Sequence, residues 1–205
     1  MGLYGDVILP RLVDRVCGRD AITVERARWV PRAKGRVLEV GVGSGLNLAL
    51  YDPARVVSVV GVDPSTPLLE RARRRAARAP VAVSLALGAA EALAFDDATF
   101  DTIVLTYTLC SVGDPARALG EARRVLAPGG ALVFVEHGLA PDPRVQRLQR
   151  AITPAWRRVA GNCHLDRDTL ALLAAAGFAP VEHASTYSDG PRWLGYTTEG
   201  AAVVA

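Results

Sequence analysis

The sequence predicts an α/β domain: a doubly wound, seven-stranded, mostly parallel sheet with one antiparallel edge strand. Short β-branched and apolar runs alternate with stretches of helical periodicity, which is the pattern of βαβ units. The alternation stops near the C-terminus, where two extended stretches follow each other with no room for a helix between them. A chain of 205 residues is long enough for one such domain and short for two.

Five runs have the continuous apolar composition of strands that are covered by helices on both faces. They are RVLEV at 36–40, VVSVVGV at 56–62, VAVSLALG at 81–88, FDTIVLTY at 100–107 and ALVFVEH at 131–137. The two extended stretches near the C-terminus, 179–187 and 194–204, are expected to pair antiparallel at the sheet edge.

The clearest predicted helix is PLLERARRRAARA at 67–79, where Leu68, Leu69 and Ala72 share one stripe. Its arginines lie on the opposite face, which we interpret as solvated. The other helices are expected as one or two short amphipathic helices within 1–34, at Leu46–Tyr51, from Asp114-Pro115 through Leu126, and at Thr169–Ala176.

Composition excludes several classes of protein. Lys and Arg number 24 against 21 Asp and Glu, a balance too weak to indicate nucleic acid binding. The cysteines Cys17, Cys110 and Cys163 are far apart and lack a CxxC pair, which favours a reduced, cytoplasmic setting over a disulfide framework or a metal site. The N-terminal stretch is typical of neither a signal peptide nor a membrane span. The oligomeric state stays open.

The stretch VLEVGVGSGLN at 37–47 follows the first predicted strand and contains three alternating glycines, Gly41, Gly43 and Gly45. A dinucleotide fingerprint would have glycine where this chain has Leu46, and neither a P-loop nor a nucleophile elbow fits. Asp63 ends the second strand, where a carboxylate would accept hydrogen bonds from both hydroxyls of a ribose. The loop and the acid together predict a ligand that contains adenosine.

Two further segments, GAAEALAFDDATFDTIVLTYTLCSV at 88–112 and ARRVLAPGGALVFVEH at 122–137, complete a resemblance. Taken with the glycine loop and the acid of the second strand, they resemble the class I S-adenosylmethionine-dependent methyltransferases across 35–137. The resemblance implies the Rossmann-like methyltransferase fold. It also implies S-adenosyl-L-methionine as the cofactor and S-adenosyl-L-homocysteine as the product. A non-catalytic, cofactor-binding regulatory subunit of the same fold is the alternative from another class.

The resemblance also implies which residues surround the cofactor. Glu39 and the loop glycines would contact its amino-acid end, Asp63 its ribose, and Thr106 its sulfonium end. Many relatives have Asp at the position of Ala89, so a different group must accept a hydrogen bond from the adenine amino group here. The full set of expected cofactor-binding residues is Glu39, Val40, Gly41, Gly43, Ser44, Gly45, Asn47, Asp63, Pro64, Ala89, Ala90, Glu91 and Thr106.

A narrower resemblance covers about 105–178, through TLCSV, EARRVLAPGG, VEH, GNCHLDRDT and AGF. These segments look like the alkyl thiol S-methyltransferases and, less closely, like quinone C-methyltransferases and bacterial phosphatidylethanolamine N-methyltransferases. The resemblance implies a small, apolar methyl acceptor, and a thiol is the favoured candidate. O-, N- or C-methylation of a phenol, quinol, amine or phospholipid head group is the alternative. The membrane anchor of the microsomal thiol enzymes is not carried over.

An acidic acceptor needs deprotonation, for which a nearby histidine or carboxylate suffices without a metal. Candidates follow the predicted strands or lie in the insertion after the fifth strand. We expect His137, His164 and Tyr107 as catalytic residues and Tyr4, Cys110 and Trp156 as substrate-binding residues, no metal being required. Each histidine also has a purely structural interpretation. The single domain then divides into an N-terminal helical cap (1–34), a cofactor-binding core (35–137), a substrate-side insertion (138–166), and a helix with the antiparallel edge hairpin (167–205).

Overall fold

The computed structural model describes residues 4–188 and 190–205, and its centre is a seven-stranded sheet. The strand order is β3-β2-β1-β4-β5-β7-β6. The strands are β1 (Gly35–Val40), β2 (Val56–Asp63), β3 (Ala82–Leu87), β4 (Phe100–Thr106), β5 (Leu126–His137), β6 (Phe178–Tyr187) and β7 (Tyr196–Val204). The predicted fold class is confirmed.

The reversed strand lies one position further in than the sequence suggests. Strands β1 to β5 pair in parallel, whereas β7 is antiparallel to both β5 and β6. The expected hairpin forms at the edge of the sheet, but its second strand inserts between β5 and its first strand. The edge strand is therefore β6, because the crossover before it carries the chain past the vacant position beside β5.

Six α-helices accompany the described strands. They are α1 (Leu9–Cys17), α2 (Asp20–Trp29), α3 (Thr66–Ala76), α4 (Pro115–Val125), α5 (Pro143–Val159) and α6 (Thr169–Ala175). A π-helical turn at Tyr4–Ile8 precedes α1, and a 3-10 turn at Val30–Arg32 follows α2. Of the predicted N-terminal cap, 1–3 lies outside the described residues. Over the described part of the chain, the helices are too short or too polar to cross a lipid bilayer.

Two local expectations differ from the structure. The segment Leu46–Tyr51 forms successive turns instead of a helix, with Leu48 N–H donating to the Gly45 carbonyl at 3.3 Å. It starts from a left-handed glycine and ends before Pro53, which leaves too little length for a helix. The opposite error concerns α5, a 17-residue helix inside the polar insertion. It begins after Asp142, whose side chain accepts from the Arg144 N–H, and Pro143 occupies its first position.

Apolar side chains from both faces of the sheet form the core. Leu38, Ile103 and Leu132 belong to the cluster on one face, while Val37 and Val104 belong to the cluster on the other. All five are fully buried. This two-sided burial fixes the central strands and brings the carboxyl ends of β1, β2 and β4 to the same edge of the sheet.

Candidate functional site

A cavity of about 480 Å³ lies beyond the carboxyl ends of β1, β2 and β4. This volume is in the usual range for small-molecule and cofactor sites, about 300–1,000 Å³. Its inner wall consists of Glu39, Gly41, Gly43, Asp63, Ala89, Ala90, Glu91 and Thr106. Its outer wall consists of Leu9, Pro10, Val13, Ala160 and Gly161, from α1 and the end of α5. The inner wall is polar and glycine-rich, whereas the outer wall is apolar.

The glycine loop is required by backbone conformation and by space. Gly41 has φ +75° and Gly45 has φ +80°, in the left-handed region that disfavours other residues. A Cβ atom on Gly41 would also lie 2.3 Å from the Thr108 hydroxyl oxygen. The loop can therefore pass close under the cavity only with glycine at this position.

Asp63 connects the end of β2 to this loop. One carboxylate oxygen accepts from the Gly43 N–H at 2.9 Å, and the other accepts from the Ser65 N–H at 2.8 Å. The carboxylate is buried, and burial raises the pKa of Asp63 while the two backbone hydrogen bonds oppose that shift. Each oxygen keeps the capacity to accept a further hydrogen bond from a ligand in the cavity.

Glu39 lies beneath the loop and is buried. Its two oxygens accept from the Asn47 side-chain amide at 2.9 Å and from the Tyr51 hydroxyl at 2.7 Å. Burial raises the pKa of Glu39 to about 7. Asn47 also donates to the Thr106 hydroxyl at 2.8 Å, and its own side-chain carbonyl oxygen is buried without a hydrogen-bond partner. The floor of the cavity thus holds one unsatisfied acceptor, which a bound ammonium group would satisfy.

Arg26, on α2, lines the cavity and was not among the predicted residues. Its guanidinium is buried, one nitrogen donates to the Cys17 carbonyl, and Nε has no partner. Burial lowers the pKa of Arg26, and the negative charges of Glu39 and Glu25 oppose this. No local signal in the sequence distinguishes Arg26 from the exposed Arg28 two residues later.

A second unpredicted feature joins α1 to the glycine loop. The Asp14 carboxylate accepts from the Ser44 hydroxyl at 2.5 Å and from Arg71 and Arg75 at 2.9 Å each. Burial alone would raise the pKa of Asp14, but these bonds hold it below its usual value. One carboxylate thereby fixes α1, the loop and α3 relative to one another.

Tyr107 is the predicted catalytic residue that lines the cavity. It directly follows β4 with φ +55°, and its hydroxyl donates to the buried Glu25 carboxylate. Burial and the nearby Glu25 charge raise the pKa of Tyr107 far above neutrality, so the hydroxyl keeps its proton.

The buried carboxylate of Glu136 holds the segment after Tyr107 in place. It accepts from the N–H groups of Thr108 at 2.8 Å, Leu109 at 2.9 Å and Cys110 at 3.3 Å. Burial raises the pKa of Glu136 to about 7 in spite of these bonds. The VEH motif drew attention to its histidine, but the glutamate before it organises this part of the site.

The two predicted catalytic histidines lie behind this segment and do not line the cavity. His137 is buried, with Nδ1 3.8 Å from the Cys163 sulfur and with Nε2 unpartnered. His164 donates its backbone N–H to the Cys110 carbonyl at 2.7 Å, and burial and Arg167 lower the pKa of its side chain. Cys110, predicted as substrate-binding, is buried behind the same wall.

Tyr4 directly precedes Gly5, which lines the cavity, and Trp156 lies one helical turn before the lining residue Ala160. The Tyr4 hydroxyl donates to the Val159 carbonyl, and Trp156 packs edge-to-face on Trp193 with ring centroids 5.5 Å apart. Neither ring lines the cavity.

Most of the predicted cofactor residues meet at the cavity. Those that line it are Glu39, Gly41, Gly43, Ser44, Asn47, Asp63, Pro64, Ala89, Ala90, Glu91 and Thr106. Val40 and Gly45 lie directly behind them: Val40 is in the core, and Gly45 packs against Ala72 of α3. Glu91 also accepts from the N–H groups of Gly113 and Asp114, at 2.8 Å and 3.1 Å, and so holds the start of α4.

The chain matches the methyltransferase domain family over residues 38–134. It is 34% identical over 171 residues to the demethylmenaquinone methyltransferase of Clavibacter sepedonicus, an alignment that covers 75% of this chain and 69% of that relative. The chain therefore belongs to the class I S-adenosylmethionine-dependent methyltransferases, and its cofactor is S-adenosylmethionine. The glycine loop, the carboxylates of Glu39 and Asp63, and the volume of the cavity fit that cofactor.

Within this class, the chain is similar to enzymes with different acceptors. It is 34% identical to the thiol S-methyltransferase TMT1B of Rattus norvegicus, over 71% of this chain and 61% of the relative. It is 43% identical to the phosphatidylethanolamine N-methyltransferase of Cereibacter sphaeroides, over 58% of each. The aligned part thus spans less than two thirds of these two relatives.

A solved structure shows the same fold over almost the whole chain. It is a methyltransferase of Thermotoga maritima described as a possible histamine N-methyltransferase, with a TM-score of 0.67 and 23% identity. The match covers 99% of this chain and 98% of that one.

Proposed function

We propose that the protein transfers a methyl group from S-adenosylmethionine to a small apolar acceptor, with a thiol first. The observation that carries this proposal is the contrast within one cavity between the polar inner wall and the apolar outer wall. An acceptor seated against the outer wall would lie beside the reactive end of a cofactor seated on the inner wall. Alignment of the two molecules supplies much of the catalysis in an in-line displacement.

Residues of the inner wall, together with Arg26 and Asn47, would each hold one part of the cofactor. When bound, S-adenosylmethionine supplies an electrophilic methyl group on a sulfonium sulfur. Asp63 accepts hydrogen bonds from the ribose hydroxyls, Arg26 binds the carboxylate of the amino-acid end, and the free carbonyl oxygen of Asn47 accepts from its ammonium group. Ala89 and Ala90 pack on the adenine. A negative Glu39 near this end favours the positive charges of the ligand.

The acceptor proton has a route through Tyr107. The acceptor group donates to the Tyr107 oxygen, and the Tyr107 hydroxyl proton passes to the Glu25 carboxylate as the acceptor proton arrives. The charge of the phenol oxygen is unchanged, and the proton ends on Glu25. In this proposal His137, His164 and Cys110 support the segment behind the wall and do not touch the acceptor.

Methylation of a quinol is the second candidate. It is favoured by the similarity to the demethylmenaquinone methyltransferase, because that alignment covers more than two thirds of the relative. A quinol ring is apolar and would also fit against the outer wall. The three free cysteines support a cytoplasmic setting, and the near balance of charges supports a small-molecule acceptor over nucleic acid.

Isothermal calorimetry with S-adenosylhomocysteine and NAD tests the cofactor assignment. We expect heat with the sulfur nucleoside and none with NAD; heat with NAD alone would overturn it. Transfer of a tritiated methyl group to an alkyl thiol, a quinol and an amine then tests the acceptor. Fastest transfer to the thiol supports our first candidate, and fastest transfer to the quinol supports the second.

The Tyr107→Phe variant tests the proton route, with Tyr187→Phe as a matched control because the Tyr187 hydroxyl has no partner. We expect Tyr107→Phe to lower kcat about 100-fold or more, in line with the loss of general base catalysis, while KM for the cofactor stays the same. An unchanged kcat would remove Tyr107 from the mechanism.

A further inference from the structure

Exposed aliphatic side chains that the proposed function does not use lie on the two helices that form the outer wall of the cavity and on the turn before α1. Ile8 and Leu12 lie one turn apart on the outward face of α1 and the turn before it, each 46% exposed. Val159, 51% exposed, lies at the end of α5, and Tyr4 donates a hydrogen bond to its carbonyl. The two helices therefore meet at the cavity entrance with apolar groups directed outward.

On α5 the exposed Leu148, Ala155 and Val159 form a stripe with the half-buried Ile152. Leu148, Ile152, Ala155 and Val159 are spaced 4, 3 and 4 residues apart, which places them on one side of the helix. The buried side chains of the same helix, Gln149 and Thr153 among them, lie on a different face. The stripe is thus not a part of the core that has been left partly covered.

Arginines flank both apolar groups. Helix α5 contains five arginines and no Asp or Glu, and Arg144, Arg147 and Arg158 lie beside the stripe. On α1, Arg11 and Arg15 are exposed next to Ile8 and Leu12. The acid of α1, Asp14, is engaged inward with Ser44, Arg71 and Arg75, so it does not neutralise this surface.

We propose that these residues form a docking surface for an anionic lipid bilayer, which we call the entrance surface: Ile8, Leu12, Leu148 and Val159 with Arg11, Arg15, Arg144, Arg147 and Arg158. Aliphatic groups framed by arginines match the boundary between acyl chains and anionic head groups. A nucleic acid would pair with the arginines but offers no partner for four exposed aliphatic side chains. Docking would open the apolar outer wall towards the membrane interior, from which an apolar acceptor can enter without crossing water.

Vesicle flotation tests this proposal and is independent of methyl transfer, so it distinguishes failure of docking from failure of the proposed function. The probes are vesicles of phosphatidylcholine alone and vesicles of phosphatidylcholine mixed with phosphatidylglycerol. We expect binding to the mixed vesicles, weaker binding to the neutral ones, and a loss of binding as salt is added. Absence of binding, or equal binding to both kinds of vesicle, would overturn the proposal.

Two sets of variants locate the surface. The triple variant Arg144→Gln, Arg147→Gln, Arg158→Gln should lower the partition coefficient at least tenfold, since each arginine near an anionic surface contributes about fivefold. The triple variant Arg73→Gln, Arg74→Gln, Arg78→Gln is its control, because these exposed arginines lie on α3 and in the turn that follows it. Similarly, Ile8→Ser with Leu12→Ser should lower binding, whereas Val57→Ser with Val181→Ser, at sites 71% and 64% exposed, should not.

Binding of S-adenosylhomocysteine checks that every variant is folded. Equal losses in the entrance variants and the control variants would overturn the assignment of the surface. A stable dimer in light scattering that Ile8→Ser with Leu12→Ser dissociates would also overturn it, because the surface would then bind a second copy of the chain.

Discussion

The inner and outer walls of the cavity face each other, yet they are built by different means. The inner wall consists of strand ends and tight loops whose backbone is held by the sheet, by Asp63 and by left-handed glycines. The outer wall consists of helices α1 and α5, which present apolar side chains to the cavity. The first arrangement suits a ligand of constant shape, and the second suits an acceptor that differs between relatives.

The largest effect is expected at the inner wall. In Gly41→Ala, the new Cβ would clash with Thr108, and the left-handed backbone would cost about 1–2 kcal/mol more than in glycine. The loop would relax away, so we expect the affinity for S-adenosylhomocysteine to fall about 100-fold or more by calorimetry. Gly120→Ala is the control, because no atom lies within 4 Å of its Cβ site in α4. Equal binding by both variants would show that cofactor binding does not require glycine at position 41.

Arg26 donates to the carbonyl of Cys17, at the end of α1, and is close enough to Glu39 to interact with its charge. Its replacement tests whether it binds the cofactor or only supports α1. We expect Arg26→Met to weaken S-adenosylhomocysteine binding about 10- to 100-fold, the value of a charged hydrogen bond of about 1.5–3 kcal/mol. Binding of 5′-methylthioadenosine, which lacks the amino-acid end, should not change. Equal losses for both nucleosides would show that Arg26 does not bind the carboxylate. The exposed Arg74→Met serves as the control.

A smaller effect is expected at the outer wall. Val13→Ala removes two methyl groups from the apolar surface, worth about 0.8 kcal/mol each, so KM for an apolar acceptor should rise about tenfold. KM for S-adenosylmethionine should stay the same. Val16→Ala, on the same helix but away from the cavity lining, should change neither value. A rise in the cofactor KM instead would mean that the two walls do not divide the ligands between them.

The smallest effect concerns pH and the Glu136 carboxylate, which accepts from the N–H groups of 108–110. Its folded pKa of about 7 exceeds the ordinary 4.5, so the folded chain binds a proton more readily than the unfolded chain does. This contribution to stability is complete below pH 4.5 and is lost as the pH rises through 7. In Glu136→Gln, the urea midpoint should therefore fall less steeply between pH 5 and 7. An unchanged slope would show that Glu136 is ionised throughout this range.

The sequence predicted the inner wall well because its requirements are local. Gly41 and Asp63 each stand directly after a strand that is recognisable by itself, so their positions at the sheet edge follow from the strand assignment. Arg26 and Asp14 could not be found this way, because other arginines and acids nearby look the same. What distinguishes them is burial and distant partners, which only the folded chain provides. Helix α5 was hidden by its polar composition and by Pro154 in its interior.

The three hydrogen bonds that Asp14 accepts hold α1 in place at the outer wall of the cavity. Leu9, Pro10 and Val13 of α1 line the cavity opposite the glycine loop. We infer that a bound nucleoside leaves through a movement of α1 that separates Asp14 from Ser44, Arg71 and Arg75. We therefore expect departure of the spent nucleoside to set the pace of the catalytic cycle at low ionic strength. Because partly exposed ion pairs weaken in salt, added salt should shorten the residence time of the product and raise turnover in solution.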